Sequence, residues 1–187
     1  MLRDRLIKMG ACEDAVAWVG DRDITAAWAE CDRADWMLWL AGRVVAREPV
    51  VLAACACART ALRYVLAGED RPRVAIEMAE RWARGEATIA EVRSAADAAY
   101  AADAAYAAAA ADAAYAADAA YAAAAASAAA VAYAAYAASY ADTAYAAADA
   151  ADASAASRKV ALAQMANLVR GIIVADQVAA GLEGRND

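Results

Sequence analysis

The chain reads as an all-α protein, a helical bundle carrying a long Ala-rich helix or helical hairpin. Between Ser94 and Ser157 it is almost a homopolymer of alanine, the residue that loses no side-chain entropy in a helix and leads the propensity scale. No glycine or proline occurs from Glu86 to Arg170 to interrupt that tract. The other segments set apolar residues at helical spacing between glycines, and no two-residue alternation of a strand appears. A hydrophobic composition of 65% over 187 residues excludes a disordered chain. Much of it is alanine, so the strongly apolar residues lie in the first ninety positions and in Val160 to Leu182.

We read residues 1–187 as a single all-α domain with three parts: a multi-helix head at 1–87, an Ala/Asp/Tyr-rich helix or hairpin at 88–157, and a C-terminal amphipathic helix at 158–184. Gly10, Gly20, Gly42, Gly68 and Gly85 punctuate the head and predict helix C-caps. A first helix is expected over Leu2 to Met9 and a second over Glu13 to Val19, while Asp23 or Thr25 caps a third through Ala29. Asp32 or Asp35 then opens the apolar run Trp36-Met37-Leu38-Trp39-Leu40. Glu48-Pro49 marks a restart, since the residue before proline avoids the helical region and proline suits a first turn. The following helix, Val50 to Ala67, is predicted to be the core, apolar almost all round apart from Arg59 and Arg63, which share a face. Asp70 caps the next helix, with Pro72 in its first turn, a stripe of Val74, Met78 and Trp82, and Gly85 at its end.

Thr88-Ile89-Ala90-Glu91 matches the capping box, in which hydroxyl and carboxylate satisfy opposite backbone donors, so a new helix starts there. Unbroken to Ser157 it would be roughly 100 Å long. Bends or a turn are therefore expected near Ser127, Ser139 to Thr143, or Asp152 to Ser157, where side chains compete for the helix backbone. The closing helix carries Val160, Leu162, Met165, Leu168, Val169, Ile172, Ile173 and Val178 despite Gly171, and Gly181 and Gly184 end it.

The tract repeats Asp-Ala-Ala-Tyr at Asp97/Tyr100, Asp103/Tyr106, Asp112/Tyr115 and Asp118/Tyr121. At roughly 100° per residue these side chains share about half the circumference and leave the other half to alanine. Methyl-only faces allow close helix packing. The ordinary structural reading is that Asp keeps an Ala helix soluble and Tyr fills gaps. The functional one is a ladder offered to a partner, Tyr giving contact area at low entropic cost and Asp giving charge complementarity. These eight residues are the candidate partner-binding set.

The net charge is -7, from 18 basic and 25 acidic residues. Asp97, Asp103, Asp112, Asp118, Asp142, Asp149 and Asp152 lie between Ala95 and Ala156 with no Lys or Arg, so they account for the whole imbalance. Such a surface disfavours nucleic acid and suits a basic protein. The uncharged stretch between Asp118 and Asp142 is long enough to cross a bilayer. Alanine gains little from lipid, however, and Tyr121, Tyr133, Tyr136 and Tyr140 would be spread through its depth, so no membrane span is expected.

No histidine exists in the chain, which removes histidine-dependent nucleophiles, general bases and most zinc sites. Cys12, Cys31, Cys55 and Cys57 sit in apolar helical patterns, and the start Met1-Leu2-Arg3-Asp4-Arg5 has no signal-peptide shape, which together predict a reduced, cytoplasmic protein. Cys55 and Cys57 are about 200° apart on a helix and cannot converge on one ion. No Gly-rich phosphate loop or EF-hand pattern appears. The expectation is a protein without catalytic, cofactor-binding or metal residues, not an enzyme. Arg33, Asp35, Arg59, Arg63, Arg71, Glu77, Glu80, Arg81 and Arg84 are expected to form structural ion pairs. Trp36, Trp39 and Trp82 are expected to fill the head in place of the absent Phe.

Three segments are familiar: Cys31-Asp32-Arg33-Ala34-Asp35-Trp36-Met37-Leu38-Trp39-Leu40-Ala41, Ala54-Cys55-Ala56-Cys57-Ala58-Arg59, and Arg71-Pro72 through Trp82-Ala83-Arg84-Gly85-Glu86-Ala87. With the Ala/Asp/Tyr helix and the final apolar helix, the chain from about Cys31 onward resembles the all-helical immunity proteins of bacterial polymorphic toxin systems. The resemblance implies an intracellular antidote that binds a cognate protein toxin. An acidic, Tyr-lined face suits a basic toxin such as a nuclease, blocked by charge and shape. Rival readings are a structural or self-assembling protein, with a second copy of the chain as partner, and more distantly a surface-binding Ala-rich helix.

Overall fold

The computed structural model describes residues 1–65, 67–109 and 155–185, with the backbone alone at 64, 102–109 and 155–157. Among these the chain is all-α, without a strand. The helices are α1 (Leu2–Lys8), α2 (Glu13–Val19), α3 (Ile24–Glu30), α4 (Ala34–Val44), α5 (Arg47–Arg59), α6 (Arg71–Ala83), α7 (Ile89–Ala109), α8 (Ala155–Ile172) and α9 (Ala175–Gly184), with a 3-10 turn at Leu62–Tyr64. The breaks expected near Ser127 and Ser139 to Thr143 lie outside the described residues.

The central helix is α5, which buries Val50, Val51, Ala53, Ala54, Cys55, Cys57 and Ala58. It packs against α4, α6 and α8, while α7 covers α6 and α9 closes on α3 and α4. The sequence expected α5 to run to Ala67, but it ends at Arg59. Thr60 explains the stop: its hydroxyl donates to the Cys57 carbonyl at 2.7 Å, and its backbone N–H turns to the same oxygen at 3.0 Å. Three-residue bonds of this kind tighten and terminate a last turn. Arg63 therefore lies past the helix and shares no α5 face with Arg59, which grips Glu80 of α6 through two bonds of 2.7 Å.

Other boundaries follow local chemistry. Asp23 caps α3 by accepting from the Ala26 N–H at 2.8 Å. Neither Asp32 nor Asp35 caps α4; Arg33 stands at that position, and Asp35, in the first turn, is tied to its guanidinium. Asp70 flanks α6 without a side-chain cap, because its carboxylate pairs with Arg73. Gly85, at φ +77°, follows the end of α6 as expected, whereas Gly42 lies inside α4 and caps nothing. The stripe of Val74, Met78 and Trp82 is not the buried face of α6. Val74 is 40% exposed, and the helix instead buries Pro72, Ala75, Ile76 and Ala79. Small residues on that face let α7 approach, and Ala75 meets Ala95 and Ala99 methyl to methyl.

The C-terminal segment is two helices rather than one, bent by 74°. In a continuous helix the Ile173 carbonyl would accept from Gln177. Here it accepts from the Trp28 indole at 3.0 Å, and the Gln177 N–H turns to the Val174 carbonyl at 3.1 Å. The Gln177 side chain in turn accepts from the Val174 N–H at 3.0 Å and starts α9. Arg170 reinforces the corner by donating to the carbonyls of Trp28 at 3.1 Å and Cys31 at 2.6 Å. Gly181 does not end the final helix but lies within it, where a Cβ would fall 1.8 Å from the Val44 carbonyl oxygen. No single described helix is long and apolar enough to cross a membrane.

Candidate functional site

The candidate face begins where α7 begins. The Thr88 backbone N–H donates to the Glu91 carboxylate at 2.8 Å, and the Glu91 N–H donates to the Thr88 hydroxyl at 3.3 Å, completing the expected capping box. The Thr88 N–H, joined by the Thr88 hydroxyl donating to the same carboxylate at 2.8 Å, holds the Glu91 carboxyl below its ordinary pKa. From there Val92, Ala95, Ala96 and Ala99 repeat at three- and four-residue steps and are buried. That periodicity turns Asp97 and Tyr100 outward: Asp97 is exposed, and Tyr100 is 39% exposed.

Asp97 and Tyr100 are thus neighbours on the outer side of a helix whose inner side is methyl groups. Asp103 and Tyr106 fall on the α7 backbone, and their side chains lie outside the described residues, as do Asp112, Tyr115, Asp118 and Tyr121 altogether. At about 1.5 Å per residue α7 spans about 30 Å and α6 about 20 Å. With Ala75, near the start of α6, level with Ala95 and Ala99, α7 extends past the start of α6.

The charged residues of the head largely pair as expected, whereas the tryptophans are distributed differently from expectation. Ion pairs join Arg33 to Asp35, Arg59 to Glu80, Arg71 to Glu69, Arg73 to Asp70 and Glu77, and Arg84 to Glu86. Trp36, Trp39 and Trp82 are half-buried rather than central. The tryptophan inside the core is Trp28, at 4% exposed. Guanidinium groups lie over the outer indoles: Arg22 over Trp18 at 4.8 Å, Arg33 over Trp36 at 4.3 Å and Arg43 over Trp39 at 3.7 Å. Trp18 and Trp36 meet each other with ring centroids 6.1 Å apart.

Of the cysteines, Cys31, Cys55 and Cys57 are buried, but Cys12 is exposed at the start of α2, contrary to its expected place in an apolar pattern. Burial pushes the Cys31 thiol up to about 11 and the Cys57 thiol up to about 12, and raises that of Cys55 as well. Among the described residues no three Cys, Asp or Glu side chains gather as a metal site would require. Sequence reasoning overlooked a cleft between α1 and α4; its only signal was the presence of Trp18, Trp28, Trp36 and Trp39 within the first forty residues. No family model, curated protein or solved structure matches this chain.

Proposed function

We propose that the chain acts without catalysis, as an intracellular antidote that binds a cognate bacterial protein toxin in a stoichiometric complex. The observation that carries this reading is the outward placement of Asp97 and Tyr100 on α7, at the start of a tract that holds seven carboxylates and no Lys or Arg. A helix that packs through methyl groups carries its carboxylate and phenol side chains on the outer side, where a partner can reach them. Exposed Tyr supplies rigid contact area, and a row of carboxylates steers a basic partner and occupies its substrate-binding charge. The resemblance of Cys31-Asp32-Arg33-Ala34-Asp35-Trp36 and the segments after it to immunity proteins supports the same role.

The test is co-expression with the proteins encoded by the neighbouring genes, followed by calorimetric titration of any pair that forms. One-to-one binding with rescue of growth is expected. Asp97→Asn together with Tyr100→Ala should weaken binding at least tenfold and reduce its salt dependence. Unchanged affinity and salt slope would discard this face as the interface. A second reading, self-assembly through alanine faces, draws on the Ala75, Ala95 and Ala99 contact. It requires light scattering that rises to a defined oligomer with concentration.

A further inference from the structure

The first four helices border a half-open cleft of about 410 Å³. That volume lies within the range of about 300–1,000 Å³ in which proteins hold small apolar ligands. Leu6 of α1, Trp18 of α2, Trp28 of α3, and Trp36 and Trp39 of α4 line it, so four of the five tryptophans border one space. An apolar enclosure of indoles replaces hydration of a ligand with close contact, which is the main source of affinity at such sites.

Its polar groups restrict the ligand further. The charged side chains in the lining, Arg33 and Asp35, satisfy each other through bonds of 2.9 and 2.6 Å, and Asp35 is buried. A carboxylate ligand would have to take Arg33 from Asp35 and leave that buried carboxylate without the guanidinium that holds it, and an ammonium ligand would have to displace the same two bonds. The indole N–H of Trp28 is committed to the Ile173 carbonyl.

We infer that this cleft binds an uncharged, mainly apolar small molecule. The site is separate from Asp97 and Tyr100 and does not depend on the antidote role.

Nile red, an uncharged aromatic dye with a carbonyl, is the probe, titrated into the full chain and followed by its fluorescence. One saturable site is expected, at least tenfold tighter than for the anionic dye anilinonaphthalene sulfonate. Ala15, which lines the cleft, is replaced in Ala15→Phe to fill it, and affinity should fall at least tenfold. Ala17→Phe, at an exposed position outside the lining, should bind as the native chain does. A readout on the native chain comes from Cys12, exposed and in the lining: saturating dye should slow its labelling by a maleimide at least threefold. The inference is overturned by non-saturable uptake, by a folded Ala15→Phe that binds equally, by a preference for the anionic dye, or by Cys12 labelling that the dye leaves unchanged.

Discussion

Single residues decide how the pieces of this protein meet. Trp28 is the clearest case, since its ring fills the core while its N–H takes the carbonyl that would otherwise continue α8. Arg170 stabilises the same corner from the other side by donating to the end of α3, and a charged donor of this kind contributes about 1.5–3 kcal/mol. The cysteines are separated by burial alone. Because the reactive species is the thiolate, a thiol both buried and raised in pKa is inert. Maleimide labelling of the native chain should therefore modify Cys12 and leave Cys31, Cys55 and Cys57 until denaturant is added. More than one modified cysteine by mass spectrometry in the native state would contradict the core described here. Glu13 and Asp14 follow Cys12 much as Glu30 and Asp32 flank the buried Cys31, so chain neighbours do not separate these two; exposure depends on what packs across from a residue.

At the scale of elements, two helical glycines make opposite predictions. A Cβ at Gly171 of α8 meets nothing within 4 Å, so Gly171→Ala should stabilise the chain by about 0.5–1 kcal/mol through helix propensity. A Cβ at Gly181 of α9 would strike the Val44 carbonyl, so Gly181→Ala should destabilise by about 3 kcal/mol. Urea denaturation of both variants checks the pair. The α7 capping box adds a pH dependence. Since the folded-state pKa of Glu91 is held below the usual 4.5, its stabilising contribution is complete above that value and is lost as pH falls through the lowered one. Thermal midpoints of Glu91→Gln should fall below those of the native chain at neutral pH and converge with them on acidification. This box was legible in the sequence because its partners are three residues apart. The buried face of α6 was not, since a stripe of Val74, Met78 and Trp82 is as regular as the one formed by Ala75, Ile76 and Ala79, and only packing selects between them: the core around α5 buries Ile76 and Ala79, and the alanines of α7 cover Ala75.

At the scale of the whole molecule, the C-terminal helices belong to the head. Leu162, Met165, Val169, Ile173, Val178 and Leu182 are buried in the same cluster as α4 and α5. Each contributes roughly 1.5–3 kcal/mol by burial, against a typical net stability of about 5–15 kcal/mol. Deleting 158–187 should therefore abolish cooperative unfolding and the near-ultraviolet circular dichroism of the tryptophans; a truncated chain that still melts cooperatively would show that the head holds together without the C-terminal helices. Asp97 and Tyr100 were legible as outward residues because the helical period and the alanines around them fix the buried side of α7. The cleft of α1 to α4 was not, because its lining comes from separate helices. By itself the sequence determined that the chain is helical, where α3, α6 and α7 begin, and that the acidity is confined to one tract, because propensity, capping and charge act between residues close along the chain. Only the tertiary structure decided which tryptophan is central, where α5 and α8 stop, why Gly181 has no side chain and which thiol meets solvent. Each of these depends on an atom more than a hundred residues away or on a packed neighbour, except the end of α5, which Thr60 settles through a local bond that competes with the helix.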